Sequence, residues 1–507
     1  MNIKRAKQEI KDTIEAYLLK DEYGAYEIPS VRQRPVLLLG APGIGKTQIM
    51  EQIALECGIG LVAYTITHHT RQSAIGLPFI TRKEFDGVEK SVTEYTMSEI
   101  VASIYEKREK TGIREGILFI DEINCVSETL APAMLQFLQC KTFGTHAIPE
   151  GWIIVAAGNP PEYNRSVREF DVVTMDRVRK IEVEPDYEVW REYAVQAGVH
   201  PAILSYLDIR PNNFYKMENT VDGRLFVTPR GWEDLSGVIK VYERLGKRAD
   251  KEVVVQYLQH DAVAAEFAAY LDLYRKYESD YGIPEILRGR IDEAALKKMS
   301  HASFDERLSV VNLLLSAVLE YMRKAGEQEV FTEALFVKMK EAGRLLEEDG
   351  VDAAGAAAVL KSLSDESEKE RVAKKKAELL TREEEKRLLR LAAALDSYRT
   401  EISARSPRDG KAAYEILKEL FSKESDRYEE LNIQCGEALE HAFDFLEAAC
   451  GDSREMVIFL TGLNMSGDAV AFLQNYDCQR YSIYNRRLLF SQNEQELRKE
   501  AQRLSSL

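Results

Sequence analysis

Gly40-Ala41-Pro42-Gly43-Ile44-Gly45-Lys46-Thr47 follows the apolar run Val36-Leu37-Leu38-Leu39 directly and precedes a helical pattern that starts near Gln48. A strand, a glycine-rich loop and a helix in this order make a phosphate-binding loop of the Walker A type, G-x-x-x-x-G-K-[ST]. The glycines allow a tight turn whose backbone N–H groups point at phosphate oxygens, and the helix N-terminus adds partial positive charge. The stretch therefore predicts an α/β P-loop fold with a nucleotide site.

Each residue of this loop has an expected part in holding ATP. Residues 40–48 are expected to surround the phosphates, with Lys46 neutralising the β- and γ-phosphates. Thr47 is expected to ligate Mg²⁺ through its hydroxyl group. The competing interpretation is an ordinary glycine-rich turn between a strand and a helix, which the flanking periodicity disfavours.

A second motif, Ile117-Leu118-Phe119-Ile120-Asp121-Glu122, is an apolar strand that ends in two carboxylates. At the end of a strand beside the phosphate loop, Asp121 is suited to hold Mg²⁺ and Glu122 to polarise an attacking water. Two solvated acids at a strand end are the alternative. The spacing from the phosphate loop leaves room for one or two strands between the motifs, which favours a nucleoside triphosphatase.

A neutral amide ends another apolar strand in Val155-Ala156-Ala157-Gly158-Asn159. Beside the strand that carries Asp121, the Asn159 side chain would orient the attacking water and contact the γ-phosphate. An isolated asparagine before Pro160-Pro161 is more often a turn residue. The functional prediction therefore depends on the position of Asn159 after the acid pair.

Arginines complete the predicted site. Arg177 would reach the γ-phosphate of a neighbouring subunit and stabilise charge in the transition state, as arginine fingers do in other NTPases. Arg179 or Arg168 would serve if Arg177 does not. Arg230, in Thr228-Pro229-Arg230, lies near the start of a predicted helix and would bend over the nucleotide from a helical lid.

Short apolar runs alternate with helical patterns up to about residue 184, which is typical of a parallel sheet covered by helices. Strands are predicted over 36–39, 60–66, 117–120, 153–157 and 180–183, helices over 46–57, 98–111 and 127–140, and hairpins over 77–96 and 141–152. Later helices are predicted over 186–196, 229–245 and 253–277. The charged run 365–390 is typical of one long solvated helix, and 210–228 has no assignable register.

These patterns predict four regions, with the C-terminal one expected to bind a partner. They are an N-terminal helix and connector (1–34), an α/β nucleotide-binding subdomain (35–184), a helical lid (185–280) and a mostly helical C-terminal domain (281–507).

The composition limits the possible classes of function. A formal net charge of −16 disfavours a general nucleic-acid binder, since such proteins usually carry a dominant basic surface. The sequence contains no apolar run long enough to predict insertion into a membrane, and we expect a cytoplasmic protein. The six cysteines include no C-x-x-C pair, so neither a zinc site nor a disulfide framework is indicated.

The motifs, in this order, resemble those of AAA+ ATPases. The two hairpins and Asp121-Glu122-Ile123-Asn124 are similar to the MoxR branch and its dynein-related relatives, over about residues 30–275. This resemblance implies a hexameric ring with ATP at the subunit interfaces and chaperone-like remodelling of a protein client. It also implies a von Willebrand factor A domain protein as a possible partner. Cys125 stands where many relatives have arginine, which leaves an intersubunit contact at that position unsupported.

Two other functions stay open at this point. One is a nucleic-acid-stimulated motor or a restriction-type GTPase subunit, which salt-dependent DNA binding would favour. The other is a nucleotide-gated scaffold without turnover. The sequence does not distinguish ATP from GTP, and it does not identify the client or the ring size.

Overall fold

The five predicted strands are confirmed in the computed structural model, each end within one residue of its predicted position. They are β1 (Val36–Gly40), β2 (Gly60–Thr65), β5 (Gly116–Asp121), β8 (Trp152–Gly158) and β9 (Arg179–Val183). They form one parallel sheet in the order β2-β5-β8-β1-β9. β8 is buried along its whole length, as its continuous apolar sequence predicts. The predicted α/β P-loop fold is therefore present.

The structure describes residues 1–68, 74–143, 146–163, 170, 172–220, 223–346 and 352–488. The chain forms two compact units. The first contains Met1–Val189, Thr228–Arg230 and Val372–Leu380, and the second contains Trp190–Val227, Gly231–Arg371 and the described residues from Thr381 onward. The ranges predicted for the lid and for the C-terminal domain both supply helices to the second unit.

Helices cover the sheet in the first unit. They are α1 (Ile3–Leu18), α2 (Lys46–Cys57), α3 (Glu99–Thr111), α4 (Ala131–Cys140) and the short α5 (Val172–Met175). The prediction for α4 started too early, because the Leu130 backbone N–H donates to the Ser127 carbonyl in a turn. Apolar residues of α3 and α4 pack with those of β2, β5 and β8 in one core.

Both predicted hairpins are present. β3 (Pro78–Phe85) and β4 (Val88–Tyr95) are antiparallel, and Asp86 and Gly87 both have positive φ, as a two-residue hairpin turn requires. The second hairpin is short, with β6 (Thr142–Phe143) and β7 (His146–Ala147). Gly144, within the range predicted for this hairpin, lies outside the described residues. The His146 ring lies 3.0 Å from the Tyr95 carbonyl oxygen, so the base of the first hairpin contacts the start of β7 in the second.

The rest of the chain is mainly helical, with one further antiparallel hairpin formed by β10 (Lys216–Thr220) and β11 (Gly223–Val227). The helices are α6 (Tyr187–Gln196), α7 (Pro201–Ile209), α8 (Pro229–Arg244), α9 (Lys251–Leu258), α10 (Asp261–Tyr281), α11 (Ile283–Leu287), α12 (Glu293–His301), α13 (Phe304–Leu346), α14 (Ala353–Ala377), α15 (Arg382–Arg405), α16 (Gly410–Cys450), α17 (Arg454–Met465) and α18 (Gly467–Asn475). In the described part of the chain, no single helix is long and apolar enough to cross a bilayer. α17 and α18, which meet at 92°, reach that length and apolarity only as a pair.

Two helix predictions were wrong because non-glycine residues adopt left-handed conformations inside them. Gln259, with φ of 42°, separates α9 from α10 within the predicted helix 253–277. Glu378, with φ of 58°, separates α14 from α15 within the run 365–390. Thr381 then caps α15 by accepting a hydrogen bond from the Glu384 backbone N–H.

Lys141, at the end of α4, is a buried cation held by neutral groups. Its side chain is 7% exposed, and its ammonium group donates to Gln33 Oε1 at 3.1 Å and to Ser30 Oγ at 3.4 Å. Burial lowers the pKa of Lys141 from 10.5 to about 8. The lysine therefore connects α4 to the N-terminal connector, and the desolvation of its charge lowers the free energy of unfolding.

We predict that Lys141→Met stabilises the protein at pH 7 by about 1–3 kcal/mol, because the variant buries no charge. Between pH 8 and 10.5 the unfolded chain keeps a proton that the folded lysine has lost, so this group makes wild-type stability rise with pH. Urea unfolding at pH 7 and near pH 10 measures both effects, with Lys141→Arg as a charged control. If the free energies of unfolding of wild type and Lys141→Met depended equally on pH, the lowered pKa of Lys141 would be contradicted.

Candidate nucleotide-binding site

The predicted phosphate loop connects β1 to α2 at the carboxyl edge of the sheet, where ligands of open α/β folds bind. Gly43 and Gly45 have φ of 75° and 91°, a conformation that glycine adopts without strain. A side chain at Gly40 would put its Cβ 2.6 Å from the Val183 carbonyl oxygen. The Gln48 side chain folds back so that its Oε1 would lie 3.4 Å from a Cβ at Gly45. The glycines are thus required by the shape of the loop.

Lys46 is the buried cation of the loop. Its ammonium group donates to the carbonyl oxygens of Gly40 and Ala41 at 2.7 and 2.8 Å and to Asn159 Oδ1 at 2.9 Å. Burial lowers the pKa of Lys46 from 10.5 to about 8, and the positive charge of Arg230 lowers it further. The negative charges of Asp121 and Glu122 oppose this shift. A bound anion would therefore stabilise the charged form of Lys46 against its burial.

Thr47 and Asp121 come together although they lie on different elements. Thr47 Oγ1 donates to Asp121 Oδ2 at 2.9 Å, which joins the phosphate loop to the end of β5. A hydroxyl and a carboxylate oxygen at this separation are hard donors of the kind that Mg²⁺ prefers. The residues thus fit the metal that was predicted for this place.

Glu122 adopts a left-handed backbone conformation, with φ of 56° and ψ of 35°. Such a conformation is strained for a residue other than glycine. The Glu122 backbone N–H donates to Asp121 Oδ1 at 2.9 Å, and Thr67 Oγ1 donates to Glu122 Oε2 at 3.1 Å. The turn directs the two adjacent carboxylates to different partners.

Asn159 lies directly beyond β8 and contacts Lys46, as described above. Its backbone carbonyl accepts a 2.7 Å hydrogen bond from Asn124 Nδ2. The Asn124 side chain is buried, and its Oδ1 would lie 2.5 Å from a Cβ at Gly158. Glycine at 158 therefore makes room for Asn124, which holds Asn159 in place.

Arg230 lies in the first turn of α8, next to the loop. Its backbone N–H donates to the Gly43 carbonyl oxygen at 3.2 Å. The Thr228 side chain lies 3.0 Å from the position of a Cβ at Gly43. The start of α8 is therefore packed on the phosphate loop. The role of the Arg230 side chain over the nucleotide stays a prediction.

The three candidate trans-acting arginines differ in their surroundings. Arg177 is exposed, and its guanidinium group donates to Gln139 on α4 rather than to the residues around Lys46. Arg179 binds Glu9 and Thr13 on α1, which ties it to the fold of its own subunit. Arg168 lies outside the described residues. Of the two described arginines, Arg177 is the more exposed residue, and Arg179 is paired with a carboxylate of α1.

Two residues of this network were not predicted as site residues. Thr67 follows β2, and its signal is a polar residue just beyond the carboxyl end of a strand that pairs with β5. Asn124 lies in the short 3-10 helix Ile123–Cys125, directly after the acid pair. In the sequence, Asn124 is recognisable only as part of the motif Asp121-Glu122-Ile123-Asn124.

Residues 35–178 match the family model described as the AAA domain of the dynein-related subfamily. No curated protein matches the chain. Among solved structures, NtrX from Brucella abortus in complex with ADP matches at 17% identity with a TM-score of 0.24, covering 41% of this chain and 45% of that one. This chain thus spans less than half the length of that protein. The matched AAA domain and the parallel five-stranded sheet identify an AAA+ P-loop fold, and a domain of this kind indicates nucleotide-dependent activity.

Proposed function

We propose that this protein, through its AAA domain (residues 35–178), is a MoxR-like ATPase that hydrolyses ATP with Mg²⁺. The energy of hydrolysis would be used to remodel or assemble a protein partner, and the protein would act in the cytoplasm. The observation that carries the proposal is the convergence of four side chains from three segments, namely the phosphate loop, the end of β5 and the end of β8. Lys46 contacts Asn159, and Thr47 contacts Asp121, at hydrogen-bonding distances. The resemblance to the MoxR branch supports the part that concerns remodelling.

Binding of ATP is assigned to the loop and to α2. The Lys46 ammonium group would transfer its hydrogen bonds from the loop carbonyls to the β- and γ-phosphates, and the backbone N–H groups of the loop would bind the same oxygens. Thr47 and Asp121 would hold Mg²⁺, which supplies positive charge against the phosphates. Gln48 and Arg230 would border the nucleotide from α2 and α8.

Hydrolysis is assigned to Glu122 as the general base for the attacking water, with Asn159 orienting that water. Glu122 is adjacent in sequence to Asp121 but projects from a left-handed turn, so its carboxylate is separated from the metal ligand. Thr67 would position Glu122 through its hydrogen bond. The proton of the water would pass to Glu122 while its oxygen attacks the γ-phosphorus and ADP leaves.

Assembly into a ring, which we expect to be hexameric, would complete the site. Arg177 is exposed and is proposed to act on the ATP of a neighbouring subunit. The lid (185–280) would respond to the nucleotide through Arg230, since the start of α8 packs on the loop. The C-terminal domain (281–507) would select the partner, for which a von Willebrand factor A domain protein is one candidate.

The β3–β4 hairpin is the proposed contact with the client. Ile80, Phe85 and Val88 are 78%, 46% and 56% exposed, which is unusual for apolar residues of a two-stranded ribbon. The base of the hairpin touches β7 through His146, next to the core of the sheet. Movement of the sheet during hydrolysis would therefore be passed to the hairpin tip.

A nucleic-acid motor is a weaker proposal for this chain. The stretch 476–487 combines aromatic and basic residues, which are the residue types that stack on single-stranded nucleic acid. Arg480 pairs with Asp444 at 2.5 Å, Arg487 pairs with Asp452 at 2.9 Å, and Tyr484 donates to Glu447 at 3.0 Å. These charges are neutralised within the chain, which supports a packing role.

We predict that Glu122→Gln keeps ATP binding but lowers the rate of phosphate release by about 100-fold or more, because general-base catalysis contributes on this scale. Phosphate release is measured under saturating ATP, and nucleotide affinity is measured separately by calorimetry. Asp86→Asn, in the turn of the exposed hairpin, is the control for loss of one carboxylate. Equal turnover of Glu122→Gln and wild type would favour the non-hydrolysing scaffold.

We predict that Arg177→Ala binds ATP but loses most turnover, and that mixing it with Lys46→Ala restores part of the activity. In a mixed ring, an intact Arg177 from the Lys46→Ala subunit would face an intact nucleotide site in the other subunit. Turnover is measured across mixing ratios while ring assembly is monitored by light scattering. No recovery in mixed rings of normal size would contradict action in trans.

We predict that Phe85→Ser with Val88→Ser abolishes capture of the client by the Glu122→Gln protein while leaving phosphate release by the otherwise wild-type chain unchanged. Both side chains are exposed, so the substitutions disturb no core. Tyr23→Ser, at a residue that is 93% exposed elsewhere, is the matched control. The test compares proteins that co-purify with each variant, and an identical set would exclude the hairpin as the client contact.

A further inference from the structure

A cavity of about 260 Å³ lies within the helical unit, between α13, α16 and α18. It is separate in sequence from the nucleotide site, and the proposed function gives it no role. Glu329, Tyr428, Asp468 and Phe472 are among its lining residues. Asp468 is exposed, so the cavity can be reached from solvent.

Aromatic rings form part of the cavity wall. Phe472 and Tyr476 are stacked with their ring centroids 5.0 Å apart and their planes 24° apart. Tyr428 contributes a third ring from α16. The faces of such rings carry negative electrostatic potential and attract cations. The wall is therefore suited to an organic cation with some apolar surface.

Two carboxylates give the cavity a negative charge. Burial raises the pKa of Tyr428, the carboxylate of Glu329 acts in the same direction, and Asn432 opposes the shift, so Glu329 lies close enough to Tyr428 to interact with it. Asp468 comes from the first turn of α18. The residue as a whole is exposed, but partial burial of its carboxylate raises its pKa against the opposing effect of Arg323. None of the described residues that line the cavity is basic. A cation would therefore meet two acids without a competing positive charge in the lining.

Gly326 keeps this cavity open. It lies inside α13, a helix of 43 residues, where glycine is unfavourable by about 1 kcal/mol relative to alanine. A Cβ at this position would meet no atom within 4 Å, so no close approach of another segment requires a glycine. Its φ is not positive, so backbone conformation does not require it either. The missing side chain instead leaves space at the cavity wall.

We infer that this cavity binds an organic cation, namely an alkylammonium or guanidinium group on a short apolar stem. The carboxylates of Glu329 and Asp468 would bind the charged group, and the rings of Tyr428, Phe472 and Tyr476 would cover the stem. The volume is below that of typical sites for drug-sized ligands, which favours a slender ligand. Either a free diamine or a lysine or arginine side chain of a peptide has this chemistry.

Calorimetric titration of the full chain tests the inference with two cationic probes. Agmatine represents the free cation, and an acetylated, amidated Gly-Ser-Arg-Ser-Gly peptide represents the side chain. At least one of them is expected to bind saturably, and the one that binds identifies the source. 1-Butanol supplies an apolar stem without a charge, and it is expected to bind at least about tenfold more weakly than the cationic probe.

Two variants separate binding in the cavity from binding elsewhere. Gly326→Leu fills the space and Asp468→Asn removes one charge, and each is expected to weaken binding by about tenfold or more. Gly237→Leu is the matched control, because Gly237 is also a helical glycine whose Cβ would meet nothing within 4 Å. Absence of binding by both probes to wild type, or equal binding by wild type, Gly326→Leu and Asp468→Asn, would overturn the inference.

Discussion

Lys46 carries its charge at a place where the side chain is only 8% exposed, and this burial constrains everything around it. A desolvated ammonium group needs several acceptors. The loop supplies two carbonyl oxygens and the end of β8 supplies Asn159. For Asn159 to reach Lys46, β8 must lie beside β1, and for Asp121 to reach Thr47, β5 must end at the same edge. The strand order thus brings to Lys46 the hydrogen-bond acceptors that a buried ammonium group requires.

The sequence predicted the parts of the site whose signals lie within one short segment. The phosphate loop, the acid pair and Asn159 each end an apolar strand, and parallel strands bring their carboxyl ends to one edge. The partners Thr67 and Asn124 were not predicted as site residues. Their roles depend on contacts with Glu122 and Asn159 that arise only when the segments are packed together.

In the helical part, periodicity identified most helices but not their interruptions. Glycine and proline mark breaks in a sequence, whereas Gln259 and Glu378 adopt left-handed conformations without such a mark. The β10–β11 hairpin was missed because its first strand is largely polar and lacks the alternation of a half-buried strand. The cavity beside Gly326 could not be predicted from the sequence either, because its wall is formed by three separate helices.

The proposed function requires the phosphate loop and the acid pair to act on one metal-bound triphosphate. A double-mutant cycle of Thr47→Val and Asp121→Asn on the Mg²⁺-dependent part of ATP affinity tests it most directly. If both residues hold the same ion, the account predicts that the double variant loses little more affinity than the more damaging single variant. Additive losses from the two substitutions would show that the residues act independently and would contradict the account.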